Sequence, residues 1–396
     1  MNALSVKLGD VDVGILEHFE DESEAFTFSD EYLESHIDSR PILGQIFEDR
    51  FPKPIHVGGP IGWFSHLLPQ GVMRRWRSRL LRIDEEDTFT LLTQLGENLP
   101  GALTLSPTEP LVRKRTESKR GQTVSRSQLF SFSLAGAQWK LSARLAGRGL
   151  TTNANAQGTE YIAKFHSPEY PDLPRCEFAT MHWARASGIL TPVFELRKVT
   201  DFDSVPEDLP IGNGDVYVCE RFDRKNTRRI HMEDFAQILD RPCGNEQYRG
   251  SYEEIARVLQ WIAFESLEEF LKLVVFCVIC GNGDAHLKNF SVLYYDGRSA
   301  SLAPAYDIVA TVAYLASDQL ALELGGAKHF KNVKLSRFDV FATCLGWTNE
   351  KLHGFIVEFA TDAISKWKLA EVQDNFTHHQ REKIDLHVNL ISKQIT

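Results

Sequence analysis

The sequence predicts an α+β chain of three parts: a small β-rich N-terminal domain, a strand-rich lobe and an all-helical C-terminal lobe. Three observations predict it. Strand-like runs recur up to about residue 223, and helical periodicity dominates beyond it. An apolar helix ends at a polar loop, Gly281-Asn282-Gly283-Asp284-Ala285-His286-Leu287-Lys288-Asn289. A hairpin signal then leads to Ala303-Pro304-Ala305-Tyr306-Asp307. With 396 residues, one bilobal unit plus a smaller domain is the expected organisation.

Residues 1–110 form the first domain, with strands at Val11–Leu16 and Ala25–Phe28 and helices around Trp63–Leu68 and Asp87–Gly96. Residues 111–126 hold Arg113, Lys114, Arg115, Lys119, Arg120 and Arg126 among few apolar residues, and read as a solvated linker rather than a nucleic-acid patch. Residues 127–223 are the strand-rich lobe. There Phe132–Leu141 sets small residues between strand-like runs, so that backbone N–H groups could approach phosphates. Gly147–Gly158 reads as a loose hairpin loop. Tyr161-Ile162-Ala163-Lys164-Phe165 is a strand carrying one lysine on an apolar run; Glu177, opening the amphipathic stretch Phe178–Ala186, is its natural ion-pair partner. Val216–Phe222 is a strand that runs into a polar turn.

Residues 224–396 are the helical lobe. Ser251 with Glu254, and Ser266 with Glu269, fit the capping box that starts a helix. Ile255, Val258, Leu259 and Ile262 mark one apolar face, whereas Leu267–Cys280 is apolar nearly all round and should lie in the core. Gly281 and Gly283 end that helix. Phe290–Tyr295 and Ser301–Ala303 flank the turn signal Asp296-Gly297. Asn349–Thr396 reads as helices with Phe355, Ile356, Phe359 and Ala360 facing the core.

The chemistry lies in Asp284, Asn289 and Asp307. A D-x-x-x-x-N spacing by itself means almost nothing, and each Asp could be a buried structural group. Their position after a core helix, with Asp307 beyond a hairpin, supplies the meaning. Phosphoryl transfer from ATP needs one carboxylate to accept the hydroxyl proton, and an amide oxygen and a second carboxylate to hold Mg2+. Lys164 is placed to meet the α/β-phosphates, and the turn after Val216–Phe222 to hold adenine. Together these elements describe a bilobal protein-kinase-like fold. Lys288 could neutralise charge on the transferred group. For His286 a structural role in the loop comes before proton transfer.

These residues resemble the HipA family, the serine/threonine kinases of bacterial toxin–antitoxin pairs. The resemblance rests on Ser133-Leu-Ala-Gly-Ala-Gln-Trp-Lys140, Lys164, Cys219-Glu-Arg-Phe-Asp-Arg224, Asn282–Ser291 and Leu302–Asp307. In the first domain it extends to Trp63–Pro69 and Pro100–Leu103. It implies that Asp284 is the catalytic base, that Asn289 and Asp307 bind magnesium, and that Ala135, Gly136, Ala137, Gln138, Lys164 and His286 surround ATP. Glu220 and Phe222 would border the adenine, and Ser133 matches a loop serine that family members autophosphorylate. It further implies an aminoacyl-tRNA synthetase as substrate, growth arrest as outcome, and a HipB-type helix-turn-helix antitoxin as partner, with DNA engaged only through that partner. Two departures stand out: Trp139 where an acidic residue is usual, and Cys176 where Asn commonly precedes the Glu.

Composition sets bounds. A net charge of −10 argues against the chain itself coating DNA. No stretch reaches the ~18–20 apolar residues of a membrane span, and Met1–Lys7 lacks a signal-peptide core. Six cysteines without a disulfide framework fit a reducing cytoplasm. Cys277-Val-Ile-Cys280 lies inside an apolar helix, and His378, His379 and His387 lack companions at metal spacing. Lys328, His329, Lys331, Lys334 and Arg337 read as an exposed face. Two alternatives stand beside the protein-kinase reading: a small-molecule kinase of aminoglycoside or choline phosphotransferase type, and a catalytically weak corepressor scaffold. A phosphate on Ser133 would repel the loop from bound nucleotide and switch the enzyme off.

Overall fold

A computed structural model of the chain describes residues 2–109, 138–146, 149–152, 160–206, 209–226, 228–315 and 319–396. The first sheet holds β1 (Asn2–Leu8), β2 (Val11–His18), β3 (Glu24–Phe28), β4 (Ile55–Val57) and β5 (Leu103–Pro107), in the order β4-β3-β2-β1-β5. Alternation in β1 turns Leu4, Val6 and Leu8 inward, toward an aromatic core of Phe26, Phe28, Phe47, Trp63 and Phe64. Helices α1 (Gly71–Leu81) and α2 (Thr88–Leu95) lie between β4 and β5, the second capped by Asp87, which accepts from the Thr90 N–H.

The second sheet holds β6 (Lys140–Ala146), β7 (Gly149–Thr152), β8 (Tyr161–Lys164), β9 (Phe194–Lys198), β10 (Phe202–Ser204) and β11 (Asp215–Glu220), ordered β10-β7-β6-β8-β11-β9. One expectation is corrected here. Gly149–Thr152 is a strand paired with β6, so part of the segment 147–158 is sheet. The core of this lobe gathers Leu141, Ala163, Phe165, Val216 and Val218, and takes in Met73 and Trp76 from α1. The chain's first part thus reaches into the second lobe. Helix α3 (Leu173–Ala186) starts earlier than its amphipathic signal and packs behind the sheet.

The short ribbon β12 (Arg224–Lys225) and β13 (Arg228–Arg229) leads into the C-terminal lobe. This lobe is helical around one small sheet, β14 (His231–Asp234), β15 (Ser291–Tyr294) and β16 (Ala300–Leu302). That sheet grows from the expected hairpin, whose turn is held by Asp296 Oδ1 accepting from the N–H groups of Arg298 (2.8 Å) and Ser299 (2.7 Å). Ser251 and Glu254 form the expected capping box of α4 (Tyr252–Ile262). Ser266 does not cap α5 (Leu267–Cys280); its hydroxyl accepts from the Leu302 N–H (3.0 Å), tying the helix to the hairpin. Buried along nearly its whole length, α5 is the axis of the lobe, with α6 (Asp339–Leu345), α7 (Asn349–Trp367) and α8 (His378–Ile395) around it. Ile356 and Ala360 are buried as expected, with Phe355 and Phe359 packed at the margin.

Polar staples join the first part to this lobe. Glu233 is buried and accepts from Trp63 Nε1 (2.8 Å), the Gln45 N–H (3.1 Å) and the Tyr294 hydroxyl (2.6 Å). Gly44 is required beside it, because a Cβ there would lie 2.6 Å from Glu233 Oε1. Arg229 donates to the carbonyls of Leu99 (2.7 Å), Gly101 (2.9 Å) and Leu103 (2.8 Å). Among the described residues, no helix is long and apolar enough to cross a membrane. All six cysteines are free, with Cys277 and Cys280 buried in α5. His387 is buried too, paired with the Val278 carbonyl at 2.8 Å.

Candidate active site

The loop after α5 is held by its own hydrogen bonds. Gly281 caps the helix at φ +71°, a left-handed backbone suited to glycine, and a Cβ there would meet the Val312 side chain at 2.5 Å. Thr311 Oγ1 donates to the Gly281 carbonyl (3.0 Å) and accepts from the Gly283 N–H (2.7 Å), stitching both glycines to the 3-10 turn Thr311–Ala313 beyond Asp307. Asn282 Oδ1 accepts from the Asp284 N–H at 3.1 Å, a local Asx turn. Asn289 Nδ2 donates to the Asp284 carbonyl (2.7 Å), which turns the amide and fixes its distance from the carboxylate. His286 Nδ1 accepts from the Lys288 N–H (3.2 Å), and burial, reinforced by the Lys288 charge, lowers its pKa to about 3. The ring is therefore a neutral buttress in the loop.

Two lysines meet Asp307. Lys140 and Lys164 are directly paired residues of β6 and β8, so their side chains leave the same face of the sheet. Lys164 Nζ contacts both Glu177 and Asp307, and Lys140 Nζ lies 2.8 Å from Asp307 Oδ2. Like charges side by side repel, and the two carboxylates offset this. Burial would raise the Asp307 pKa, but the ammonium groups of Lys140 and Lys164 hold it far below the usual carboxylate range. Burial likewise opposes the Lys164 charge, and Asp307 and Glu177 raise its pKa despite that. Asp307 itself sits at φ +55°, a backbone conformation uncommon outside glycine.

Asn289, Asp307 and Lys140 line a cleft of about 1940 Å³ between the first part, the second sheet and the loop. A recess that shares Gln138, Lys140 and Asp307 with it holds Lys164, Glu177 and Asp284. Asp284 is only 8% exposed. Two buried polar atoms of the recess, Gln138 Nε2 and Glu177 Oε2, have no partner among the described residues, as expected of groups that face a ligand. The oxygen donors Asn289 Oδ1 and Asp307 suit a hard cation, and Mg2+ commonly takes one or two protein oxygens and completes its shell with phosphate and water. The residues therefore fit Mg2+ with a nucleotide.

Other expected residues are placed as follows. Glu220 ends β11 with an exposed side chain, and Phe222 is half-buried against Tyr306 at 5.3 Å between ring centroids. The N–H groups of Glu220 and Arg221 are already donated to the carbonyls of Val193 (2.8 Å) and Glu160 (2.7 Å). Lys288 lines the cleft, but its ammonium donates to the His66 carbonyl (2.7 Å) and to Asp234 Oδ2 (2.9 Å), linking the first part to the loop. Ser133, Ala135, Gly136 and Ala137, with the linker 111–126, lie outside the described residues. Trp139 meets Trp76 edge-on at 6.5 Å, and Cys176 is buried in α3. In the basic cluster, Lys328 and Arg337 donate to the carbonyls of Ala321 (2.5 Å) and Gly325 (2.6 Å).

Sequence reading missed three residues of the site. Lys140 becomes visible only through the β6–β8 register. Tyr248, in a turn of 3-10 helix ahead of α4, donates to Asp284 Oδ1 (3.2 Å) and meets the His286 ring edge-on at 4.7 Å. Asp234, the N-cap residue after β14, holds Lys288. None has a local signal, because each contact joins segments distant in sequence.

Comparison with known proteins agrees across the chain. The family description "HipA-like C-terminal domain" matches residues 132–367, and "HipA N-terminal domain" matches residues 4–106. Y4dM of Sinorhizobium fredii, which carries a provisional kinase name, is 33% identical over 81% of this chain and 80% of its own length. The serine/threonine-protein kinase toxin HipA of Shewanella oneidensis is 23% identical over 63% of this chain and 62% of its own. A chain of the solved Shewanella oneidensis complex of HipA, HipB and operator DNA superposes with a TM-score of 0.74 at 20% identity. That match covers 98% of this chain and 96% of the other, and establishes the shared fold.

Proposed function

The chain belongs to the HipA family, and on that premise we propose that it is an ATP- and magnesium-dependent kinase that phosphorylates a serine or threonine of a protein. The observation that carries the proposal is the convergence of Lys164, Asp284, Asn289 and Asp307 from separate elements on one recess and its cleft. In this reading Asp284 accepts the proton of the attacking hydroxyl. Lys164, oriented by Glu177, meets the α/β-phosphates, and Gln138 offers its unpartnered N–H to a phosphate oxygen. Asn289 and Asp307 would hold Mg2+, which would supply positive charge to offset that of the phosphates. Lys140 is the second cation beside Asp307.

Glu220 and Phe222 border the adenine; with the N–H groups of Glu220 and Arg221 committed, the Glu220 carbonyl and Phe222 are the recognition groups. Ala135, Gly136 and Ala137 belong to the phosphate loop, and Ser133 is its autophosphorylation site and off-switch. Lys288 acts through position: it ties the first part to the loop that bears Asp284. The N-terminal domain beside the cleft and the Ser133–Lys140 stretch favour a protein acceptor over a small molecule. A HipB-type antitoxin is proposed as partner by likeness to the Shewanella complex, with DNA engaged through it, and an aminoacyl-tRNA synthetase as target.

Calorimetric titration with ATP tests the nucleotide half of the proposal. Binding strengthened by Mg2+, lost in Lys164→Met and stripped of its Mg2+ dependence in Asp307→Asn, is the expected outcome. Binding unaffected by both substitutions would refute the assignment.

A further inference from the structure

We propose that α1 reads the protein acceptor, taking an acidic stretch beside the phosphorylated hydroxyl through Arg75 and Arg77, which both line the cleft. The inference rests on the protein-kinase reading and adds the class of sequence that this kinase selects.

The helix is anchored on one side. Met73 and Trp76 are buried in the core of the second lobe, against the same sheet that carries Lys140 and Lys164. The helix is therefore held at a fixed place relative to Lys140 and Lys164. Arg74, Arg75 and Arg77 line the cleft that also holds Asn289 and Asp307. Arg74 is committed locally, donating to the Glu85 carbonyl (2.7 Å) and Thr88 Oγ1 (3.0 Å). Among the described residues, Arg75 and Arg77 have no carboxylate partner. Arg77 is half-buried, its guanidinium 4.9 Å from the Trp76 ring centroid, and burial lowers its pKa. A partly desolvated cation without a counter-ion is costly to keep, and a carboxylate ligand offsets that cost.

Charge gives the partner its sign. Two guanidinium groups of this cleft without a carboxylate partner among the described residues stand out in a chain of net charge −10. Each can hold a carboxylate by two parallel hydrogen bonds, as a lysine cannot. Glu85, Glu86, Glu97 and Asp240 line the same cleft and would repel a continuous phosphate backbone. Separate acidic side chains can be read by the arginines while the backbone between them passes the carboxylates. This favours an acidic peptide over a nucleic acid.

The test uses two fluorescein-labelled peptides, one serine flanked by glutamates and one flanked by lysines, with binding followed by anisotropy without nucleotide. The wild-type protein is expected to bind the glutamate peptide preferentially, and Arg75→Ala with Arg77→Ala to weaken it by about tenfold or more. Arg75→Glu, a change at an exposed position, is expected to reduce binding without disturbing the fold. ATP affinity, measured in parallel, should be unchanged in these variants. No preference for the acidic peptide, or a preference that survives both variants, overturns the proposal. Arginine-dependent binding of a single-stranded RNA in place of the acidic peptide overturns it in favour of nucleic acid. Failure to bind ATP would count against the kinase reading, and the peptide result would stand by itself.

Discussion

Replacing Lys288 by Met separates a positioning role from a catalytic one. The ammonium donates to the His66 carbonyl at 2.7 Å and pairs with Asp234 at 2.9 Å, with the two side chains 15% and 11% exposed. Breaking a fully buried pair costs about 3–5 kcal/mol and a surface pair at most about 1, so about 2 kcal/mol is expected here. Asp234 keeps its capping bond from the Gln237 N–H (2.9 Å), which limits the loss. For 396 residues, an unfolding entropy of about 2 cal/mol/K per residue converts this to a Tm drop of about 2–3 °C. The Lys288 N–H also holds His286 Nδ1, and Asn289 follows directly, so a released loop misplaces Asp284 and Asn289 together. A misplacement near 1 Å can cost about 100-fold in rate. Steady-state kinetics and scanning calorimetry should show a large fall in kcat, little change in the KM for ATP, a lowered Tm, and partial rescue by Lys288→Arg. A fall in kcat with unchanged Tm would refute the positioning argument and put Lys288 on the reacting phosphate. A lowered Tm with normal kcat would show that the link does not govern the loop.

Three further outcomes are expected. Burial raises the Glu233 pKa from 4.5 to about 7, so the folded state holds this proton more tightly than the unfolded chain. Stability from this group is full below about pH 4.5 and is lost as pH rises to about 7, by about 3 kcal/mol at most; chemical denaturation should show the difference between wild type and Glu233→Gln changing across that window, and a constant difference would count against it. Tyr248→Phe removes the hydroxyl donor to Asp284 and should lower kcat about tenfold with unchanged ATP affinity, whereas an unaltered kcat would remove Tyr248 from the site. Gly281→Ala forces a side chain into a left-handed position and should cost at least about 1–2 kcal/mol while lowering activity; full activity at normal Tm would show that the loop tolerates another path.

What the sequence revealed was local. The capping box at Ser251, the apolar run of α5, the glycines that end it and the Asp296-Gly297 turn each depend on residues a few positions apart, and each is legible in the chain. So is the juxtaposition of Asp284 and Asn289, since one short loop carries both. The pairing of Lys140 with Lys164 needs the strand register, and the grip of Lys288 on His66 spans most of the chain. Met73 and Trp76 look like the apolar face of a helix in its own domain, yet they complete the core of the neighbouring lobe. Ser266 satisfied the sequence pattern of a cap, but the tertiary partner Leu302 claimed its hydroxyl. Gly149–Thr152 escaped notice because a short strand among glycines and threonines gains its order from β6.

The most direct test of the central claim is the intact mass of the protein and of proteins from a host lysate after incubation with Mg2+ and ATP, with Asp284→Ala alongside. The account predicts that the wild type transfers phosphate, to itself at Ser133 or to a serine or threonine of an added protein, and that Asp284→Ala transfers none while still binding ATP. Equal transfer by the variant, or no transfer by a wild type that binds Mg2+ and ATP in the presence of lysate, would contradict it.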